Sequence, residues 1–284
     1  MTQEAPITNL KVWVGRSRTE HDVVVPSQAQ AMAAVLDRDP TEFQQGTPLP
    51  DFWHWVYFRP AVPRSRLGDD GHEVRGDFLP PVELPRRMWA GGFLRFLSPI
   101  TIGTEIERTS EVVSVEEKQG RSGALVLVTV RHVINSAGRP CVEEEQDLVY
   151  CEIPKAGQRS RQLQTLANNV KWKDTFLPDA VTLFRYSALL FNAHRIHYDY
   201  PFTTQIEGYR GLVVHGPLTA LLLLDAAKRH TRRNPTAYRY RGLAPLFSDE
   251  PITLAGRDAS DGRETEVWAC GPGEAVSMHA RVTW

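Results

Sequence analysis

Cysteine is scarce in this chain, which has three, Cys141, Cys151 and Cys270, among 284 residues. Their number is odd and their spacing is wide, so the pattern predicts neither a disulfide framework nor a zinc knuckle. Such usage favours a reducing compartment, and we interpret all three as packing residues.

Long hydrophobic runs and an excess of charge are also missing. The longest apolar stretch covers residues 218–224, far too short to cross a bilayer. The first twenty residues lack the apolar core of a signal peptide and the acidic-poor character of a transit peptide. A formal net charge of −1 gives no general attraction to nucleic acid or membranes. We therefore expect a cytoplasmic protein with no nucleic-acid partner and no membrane partner.

Helix and strand signals occur in the same order in both halves of the chain. In the first half, Ser27 precedes Ala-rich helix formers and predicts a helix over 27–37. In the second half, Pro217 at a first helical position and basic residues at the far end predict a helix over 216–230. This second helix is apolar on all sides and should be buried. Strand-like segments, separated by turns, cover 93–100, 105–118, 124–135, 143–153, 236–247, 250–259, 264–273 and 275–284.

These patterns predict an α+β fold of two sequential units, each an antiparallel sheet wrapped around one central helix. That arrangement is an economical way to bury apolar surface in roughly 120 residues. Residues 156–175 are polar and lack strand alternation, which predicts a linker. We place an N-terminal domain at 1–155 and a C-terminal domain at 176–284.

One segment concentrates titratable side chains. Residues 191–199, FNAHRIHYD, follow the apolar run 187–190 directly, at a junction where Gly, Pro, Ser or Asn are more usual. Such a cluster suggests chemistry. His194 and His197 have a spacing that metal ligands use, but no third ligand accompanies them at a recognisable spacing, so we expect no metal.

The stretches YSALLFNAHRIHYD and GYRGLVVHGPLTALLLL resemble the MaoC-like (R)-specific hydratase family. Its signature is Asp-x-Asn-Pro-hydrophobic-His, followed by a His-Gly pair that opens the central helix of a hotdog fold. The segment FLPPVELPRRMWAGGFLRFLSPITIGTEI is similar to the first half of the double-hotdog branch. That branch contains type 2 hydroxyacyl-thioester dehydratases, mesaconyl-C4-CoA hydratases and itaconyl-CoA hydratases. The resemblance implies a double hotdog, a hydro-lyase that needs no cofactor, an acyl-CoA substrate and a possible homo-oligomer.

Carried over position by position, the resemblance puts His197 on the catalytic histidine, Asn192 on the catalytic aspartate and His194 on the asparagine. Asn192 cannot accept a proton, so His197 is left as the base and Asn192 can only orient water. The alternative is that Asn192 caps a helix. Asp199 and Tyr198 are weaker acid candidates. The developing charge on the thioester oxygen calls for a backbone donor at a helix start, and the N–H of Gly216 is a candidate. Because Gly216 has no side chain, we also expect it to leave room for close approach by the substrate.

The acyl group is harder to infer. The resemblance favours a C5 dicarboxyl enoyl-CoA, such as itaconyl-CoA or mesaconyl-C4-CoA, which would be hydrated to citramalyl-CoA and whose carboxylate must meet a cation. The alternatives are a 3-hydroxyacyl-thioester dehydratase of fatty-acid type, a hotdog thioesterase and a non-catalytic acyl-CoA-binding protein. The candidate substrate-binding residues are His194, His215, Arg86, Arg87, Arg185, Arg195 and Arg210.

One of these residues and two further segments each have an alternative interpretation. His215 is more simply a structural residue than a base. The basic segment 228–233, KRHTRR, is either a solvated helix end or a site for CoA phosphate. The aromatic segment 50–58, PDFWHWVYF, either packs in the core or lines an acyl pocket.

Overall fold

The computed structural model describes residues 9–120, 123–152 and 163–284. Within these ranges the α-helices are α1 (Pro26–Val35), α2 (Ala180–Leu190) and α3 (Gly216–Thr231). The strands are β1 (Ser17–Val23), β2 (Arg86–Phe96), β3 (Glu105–Gly120), β4 (Gly123–Ser136), β5 (Arg139–Cys151), β6 (Trp172–Phe176), β7 (Ala237–Gly242), β8 (Ile252–Asp258), β9 (Glu264–Cys270) and β10 (Val276–Thr283). No helix in the described part of the chain is long and apolar enough to cross a membrane.

The strands form one sheet of ten, in the order β1-β3-β4-β5-β2-β7-β10-β9-β8-β6. The first five come from the N-terminal half and the last five from the C-terminal half. Residues 91–95 of β2 pair antiparallel with residues 237–241 of β7 and join the two halves. Gly91 permits this junction, because a Cβ there would lie 2.5 Å from the carbonyl oxygen of Tyr240. The predicted α+β fold is confirmed, and the two predicted sheets meet edge to edge as one.

Both predicted helices form close to their predicted bounds. α1 begins one residue earlier and ends two residues earlier than the predicted range 27–37. α3 begins where predicted and ends one residue later than the predicted range 216–230. α3 has Pro217 in its first turn and buries residues 218–224. Its apolar surface packs against β7, β8, β9 and β10. The burial predicted for this helix is therefore confirmed.

The sequence patterns do not predict β1, β6 or α2. The two strands lie at the edges of the sheet, where mainly polar sequences such as SRTEHDV and WKDTF protect against further pairing and show no apolar alternation. β6 occupies the end of the segment predicted as a linker, whose residues 156–162 lie outside the described ranges. α2 contains β-branched residues that lower helix propensity, and its start signal is Asp179, whose carboxylate accepts a hydrogen bond from the Thr182 N–H.

The C-terminal end of α2 lies beside the N-terminal end of α3, and together they position the segment 191–199. Phe191 ends α2 with a φ of +53°, in the left-handed region, and turns the chain away from the helix axis. The turned segment then pairs with the approach to α3, where the Val213 N–H donates to the Ile196 carbonyl oxygen at 2.9 Å. The two sequence motifs, far apart in the chain, are brought together in this way.

A substitution of Tyr238 tests a buried hydrogen bond between β7 and α3. Its buried hydroxyl donates to the Ala220 carbonyl oxygen at 2.8 Å. Tyr238→Phe is expected to lower the free energy of unfolding by about 1 kcal/mol, because a buried hydrogen bond is lost. The matched control is Tyr186→Phe, since the buried Tyr186 hydroxyl has no partner within the described residues and its removal should cost nothing. Denaturant unfolding measures both, and equal losses would contradict the assignment.

Candidate active site

A cavity of about 1840 Å³ lies where the two halves of the chain meet. This exceeds the volume of a typical small-molecule pocket and leaves room for an extended ligand. Both halves contribute polar side chains to its wall. Among them are Asp70, His72, Arg75, Arg86, Arg87, Ser187, Asn192, His194, Arg195, His197 and His215.

His197 is held as a neutral imidazole. Its side chain is buried, and its Nδ1 lies 2.7 Å from the Val213 carbonyl oxygen. A carbonyl can only accept, so Nδ1 carries the proton and Nε2 carries the lone pair. Burial lowers the pKa of His197 to about 4, against the opposing effect of the bond to Val213. At neutral pH the ring is therefore uncharged, with Nε2 able to accept a proton.

His215 supports this ring from behind. The centroids of His215 and His197 lie 3.6 Å apart with the planes at 17°. The Nε2 of His215 lies 2.8 Å from the Ser187 hydroxyl, so the N-cap of α3 is tied to the last turn of α2. Burial lowers the pKa of His215 well below its usual value. These contacts support the structural role for His215.

Asn192 is engaged in the turn that follows α2. Its Oδ1 accepts a hydrogen bond from the His194 N–H at 3.0 Å, as short polar side chains often do in turns. The amide NH₂ is the group left to interact with a ligand, and it can only donate. The contact supports a turn-shaping role, although the expected role in orienting water stays a prediction. In either case Asn192 supplies no proton acceptor.

Gly216 opens α3 at the positive end of the helix dipole and lines the cavity. The space that a Cβ would take is filled by Trp89, whose Cε3 would lie 2.6 Å away. The missing side chain therefore admits the indole of β2, which corrects the expectation that it leaves room for substrate. The Gly216 N–H stays a candidate donor to an oxyanion.

The predicted arginines differ in what they contact. Arg185 donates to the Ala34 carbonyl oxygen at 3.2 Å and is not among the residues that line the cavity. Three others already have a carboxylate partner in the protein: Arg86 with Glu207, Arg195 with Asp199, and Arg210 with Glu250. A substrate carboxylate would have to compete with these partners.

Arg87 is the exception among the five. It lines the cavity and forms no ion pair with any residue that the structure describes. Its positive charge opposes the rise that burial causes in the pKa of Tyr150, and it contributes to the lowered pKa of His72. Among the described residues, Arg87 is therefore a cation without a counter-charge, and its charge acts on His72 and His194.

A loop that the sequence did not single out completes the cluster. Residues 68–73, GDDGHE, bring Asp70 and His72 against His194, with the two imidazole centroids 3.9 Å apart. Ligand-type atoms of these three residues lie within 4.8 Å of one another, which makes them a candidate cation site where none was expected. His72 and His194 are 122 positions apart in the sequence, so no local spacing could have revealed the contact.

The two segments with alternative interpretations are also placed. Lys228 pairs with Asp51 and Arg229 with Asp174, and no residue of 228–233 lines the large cavity, which supports a solvated helix end. The aromatic segment 50–58 both packs in the core and lines the cavity. Phe52, Trp53 and Val56 belong to the hydrophobic core, His54 and Trp55 line the cavity, and Tyr57 and Phe58 do both.

The lowered pKa values of three histidines predict how the stability of the protein depends on pH. The pKa values of His72, His132 and His197 are each lowered by burial from 6.5 to about 4. Between these values the unfolded chain binds protons that the folded protein does not, so the free energy of unfolding falls as the pH drops from 6.5 toward 4. Denaturant unfolding at about pH 7 and about pH 5.5, mostly above the range in which carboxylates titrate, measures this. Equal stability at both values would contradict the neutral assignment.

Comparison with known proteins identifies the family. The model of the family described as hydroxyacyl-thioester dehydratase type 2 matches residues 52–248. Mesaconyl-C(4)-CoA hydratase of Chloroflexus aurantiacus is 43% identical, over 95% of this chain and 96% of its own. The mitochondrial hydroxyacyl-thioester dehydratase type 2 of Schizosaccharomyces pombe is 29% identical, over 73% of this chain and 77% of its own.

Solved structures show the same fold. A MaoC-like dehydratase from Phytophthora capsici covers 98% of both chains with a TM-score of 0.71 at 14% identity. This likeness confirms the predicted hotdog fold and, at that identity, nothing beyond the fold. The family match and the Chloroflexus relative together show that the chain belongs to the hydroxyacyl-thioester dehydratase type 2 family.

Proposed function

We propose that the protein is a hydro-lyase that adds water to the double bond of a short 2-enoyl-CoA thioester with a second, terminal carboxylate. Mesaconyl-C4-CoA and itaconyl-CoA are the expected substrates. The observation that carries the proposal is one cavity lined by both the neutral imidazole of His197 and the guanidinium of Arg87, which has no ion-pair partner in the described part of the chain. The similarity to a mesaconyl-C(4)-CoA hydratase supports it.

His197 and Gly216 supply the chemistry that hydration needs. As the oxygen of a water molecule bonds to C3, one of its protons passes to Nε2 of His197, and negative charge moves to the thioester oxygen. The Gly216 N–H, at the positive end of α3, stabilises that charge. The imidazolium then gives its proton to C2, which restores the neutral ring. The lowered pKa of His197 favours this second transfer, because burial makes the charged ring a stronger acid.

The acyl end of the substrate is proposed to lie near Arg87. Arg75 adds a second positive charge there: its guanidinium donates to the carbonyl oxygens of Val82, Leu84 and Pro85, and it lies over the Tyr150 ring. Burial lowers the pKa of Arg75 most, and the positive charge of Arg87 lowers it further, as expected of two cations that repel each other. A carboxylate bound between them would relieve that repulsion.

A 3-hydroxyacyl-thioester dehydratase of fatty-acid type is the second candidate, favoured by the name of the family and by the Schizosaccharomyces relative. A thioesterase has less support, because the carboxylate beside the histidines, Asp70, is already hydrogen bonded to His72. The cytoplasmic location and the homo-oligomer stay predictions.

His197→Ala tests the base. We expect kcat for hydration to fall roughly 10²- to 10⁴-fold, since a positioned proton acceptor is removed. The assay follows loss of the conjugated enoyl absorbance together with release of free thiol, which separates hydration from thioester hydrolysis. His21→Ala is the matched control, because His21 is exposed on the edge strand β1. Near-normal turnover in a folded His197→Ala variant would refute the assignment.

Arg87→Met tests the acyl group. The wild type is expected to prefer mesaconyl-C4-CoA or itaconyl-CoA over crotonyl-CoA in kcat/KM. A hydrogen bond to a charged group contributes about 1.5 to 3 kcal/mol, so the variant should narrow the preference by roughly tenfold to a hundredfold. Arg185→Met, outside the cavity lining, is the control and should leave it unchanged. If crotonyl-CoA or a longer straight-chain enoyl-CoA is the best substrate, the fatty-acid-type dehydratase becomes the better description.

A further inference from the structure

The site lacks a proton acceptor at the position where the wider family has its catalytic aspartate. Asn192 stands there, and its Oδ1 is occupied by the His194 N–H. An attacking water has two hydrogens to place, and Nε2 of His197 accepts one of them. A second acceptor would fix the orientation of the water as its oxygen approaches C3.

The loop 68–73 from the N-terminal half is fixed on the catalytic motif by main-chain contacts. The Arg195 N–H donates to the Asp70 carbonyl oxygen at 2.9 Å, and Arg195 Nη1 donates to the Asp69 carbonyl oxygen at 2.9 Å. Gly71 has a φ of +88°, and a Cβ there would lie 1.8 Å from the Ala193 carbonyl oxygen. Only glycine fits this position, so the loop is held in one place against the motif.

Within this loop, Asp70 orients His72. The Nδ1–H of His72 donates to Asp70 Oδ2 at 2.8 Å, and its backbone N–H donates to Oδ1 at 2.9 Å. With Nδ1 protonated, the neutral ring carries its lone pair on Nε2. His72 lines the cavity, and its ring contacts His194, whose own ring centroid lies 5.4 Å from that of His197. The charged form of His72 would also disfavour protonation of His197.

We propose that the Asp70–His72 pair supplies the second acceptor for the attacking water, in place of the family's aspartate. This inference rests on the proposed hydration. The water donates one hydrogen to Nε2 of His197 and the other to Nε2 of His72. The first proton passes to His197 and then to C2, whereas the second stays on the oxygen that becomes the C3 hydroxyl. His72 touches the water and is catalytic, and Asp70 acts through His72 as a positioning residue.

A metal ion held by Asp70, His72 and His194 is the competing explanation for the cluster. Two imidazoles on one tetrahedral zinc, with Zn–N bonds of about 2.0 Å, hold their ring centres about 5 Å apart. The rings of His72 and His194 are 3.9 Å apart and tilted by 39°, which is the geometry of ring packing. The contact between Asp70 and His72 has the length of an ordinary hydrogen bond.

The test uses His72→Phe, which keeps the ring packing on His194 and removes both nitrogens. With mesaconyl-C4-CoA as substrate, kcat should fall roughly a hundredfold, the order expected for one lost transition-state hydrogen bond, whereas KM should change little. Asp70→Asn should lower kcat in the same direction. The matched control is Asp77→Asn, an exposed carboxylate that pairs with Arg66, and it should leave kcat unchanged.

A rescue distinguishes catalysis from structure. Adding Asn192→Asp to His72→Phe returns a carboxylate to the family position and should recover at least part of the lost kcat. A structural role for His72 predicts no such recovery, so a reduced kcat that Asn192→Asp does not raise would overturn the proposal. Undiminished kcat in folded His72→Phe would overturn it also.

The activity of the wild type, measured with and without a chelator, tests the proposed function and the competing metal site. If it hydrates mesaconyl-C4-CoA and keeps that activity after treatment with a chelator, the proposed function and the metal-free pair are both supported. Loss of activity on chelation, regained with zinc, would overturn the pair in favour of a metal site. A wild type that hydrates no enoyl-CoA would overturn the proposed function, and the pair with it. Should His72→Phe fail to fold, His72→Leu, which also lacks a hydrogen-bond acceptor, replaces it with the same expected loss and rescue.

Discussion

The hydrogen bond from Nδ1 of His197 to the Val213 carbonyl oxygen is the contact on which the rest of the site depends. It determines which nitrogen carries the proton, and therefore which one can accept another. Phe191 ends α2 in a left-handed conformation and turns the motif toward the approach to α3, where this bond forms. The stacked ring of His215, tied to Ser187, then prevents His197 from rotating away. The local backbone conformation, the packing and the protonation state of the imidazole are thus set together.

The cavity belongs to both halves of the chain, although the sequence motif lies in one. Trp89 of β2 fills the space beside Gly216, so the start of α3 is packed by the N-terminal half. The loop 68–73 reaches the motif from the same half and is held there by Gly71, where a larger residue would clash with the chain. The pairing of β2 with β7 brings these elements together. A change in the N-terminal half can therefore alter the chemistry of the C-terminal motif without touching its residues.

The elements with strong local signals could be predicted from the sequence. Pro217 and a helix apolar on all sides predicted α3, and alternating strand patterns predicted eight strands, because these features depend on neighbours in the chain. Edge strands such as β1 carry polar residues for reasons of the whole sheet, so their sequences look like loops. His197 could be predicted from the sequence motif. Asp70 and His72 could not, because they lie close to the motif only in the folded chain. The partners of the arginines could not be inferred either, because whether Arg86 or Arg87 is paired depends on where Glu207 lies in space.

The charges around the cavity favour one kind of ligand over another. Four buried imidazoles and the partly exposed His72 are neutral at neutral pH, since desolvation lowers the pKa of each. Arginine cannot lose its charge in this way, so Arg87 and Arg75 remain cationic and repel each other, although Asp70 offsets part of the charge of Arg75. An anionic acyl group gains both its own hydrogen bonds and the relief of that repulsion, whereas a neutral acyl chain gains neither and would leave the cations desolvated. Under the proposed function, the positive charge of Arg87 and Arg75 is thus the feature of the cavity that discriminates between acyl groups.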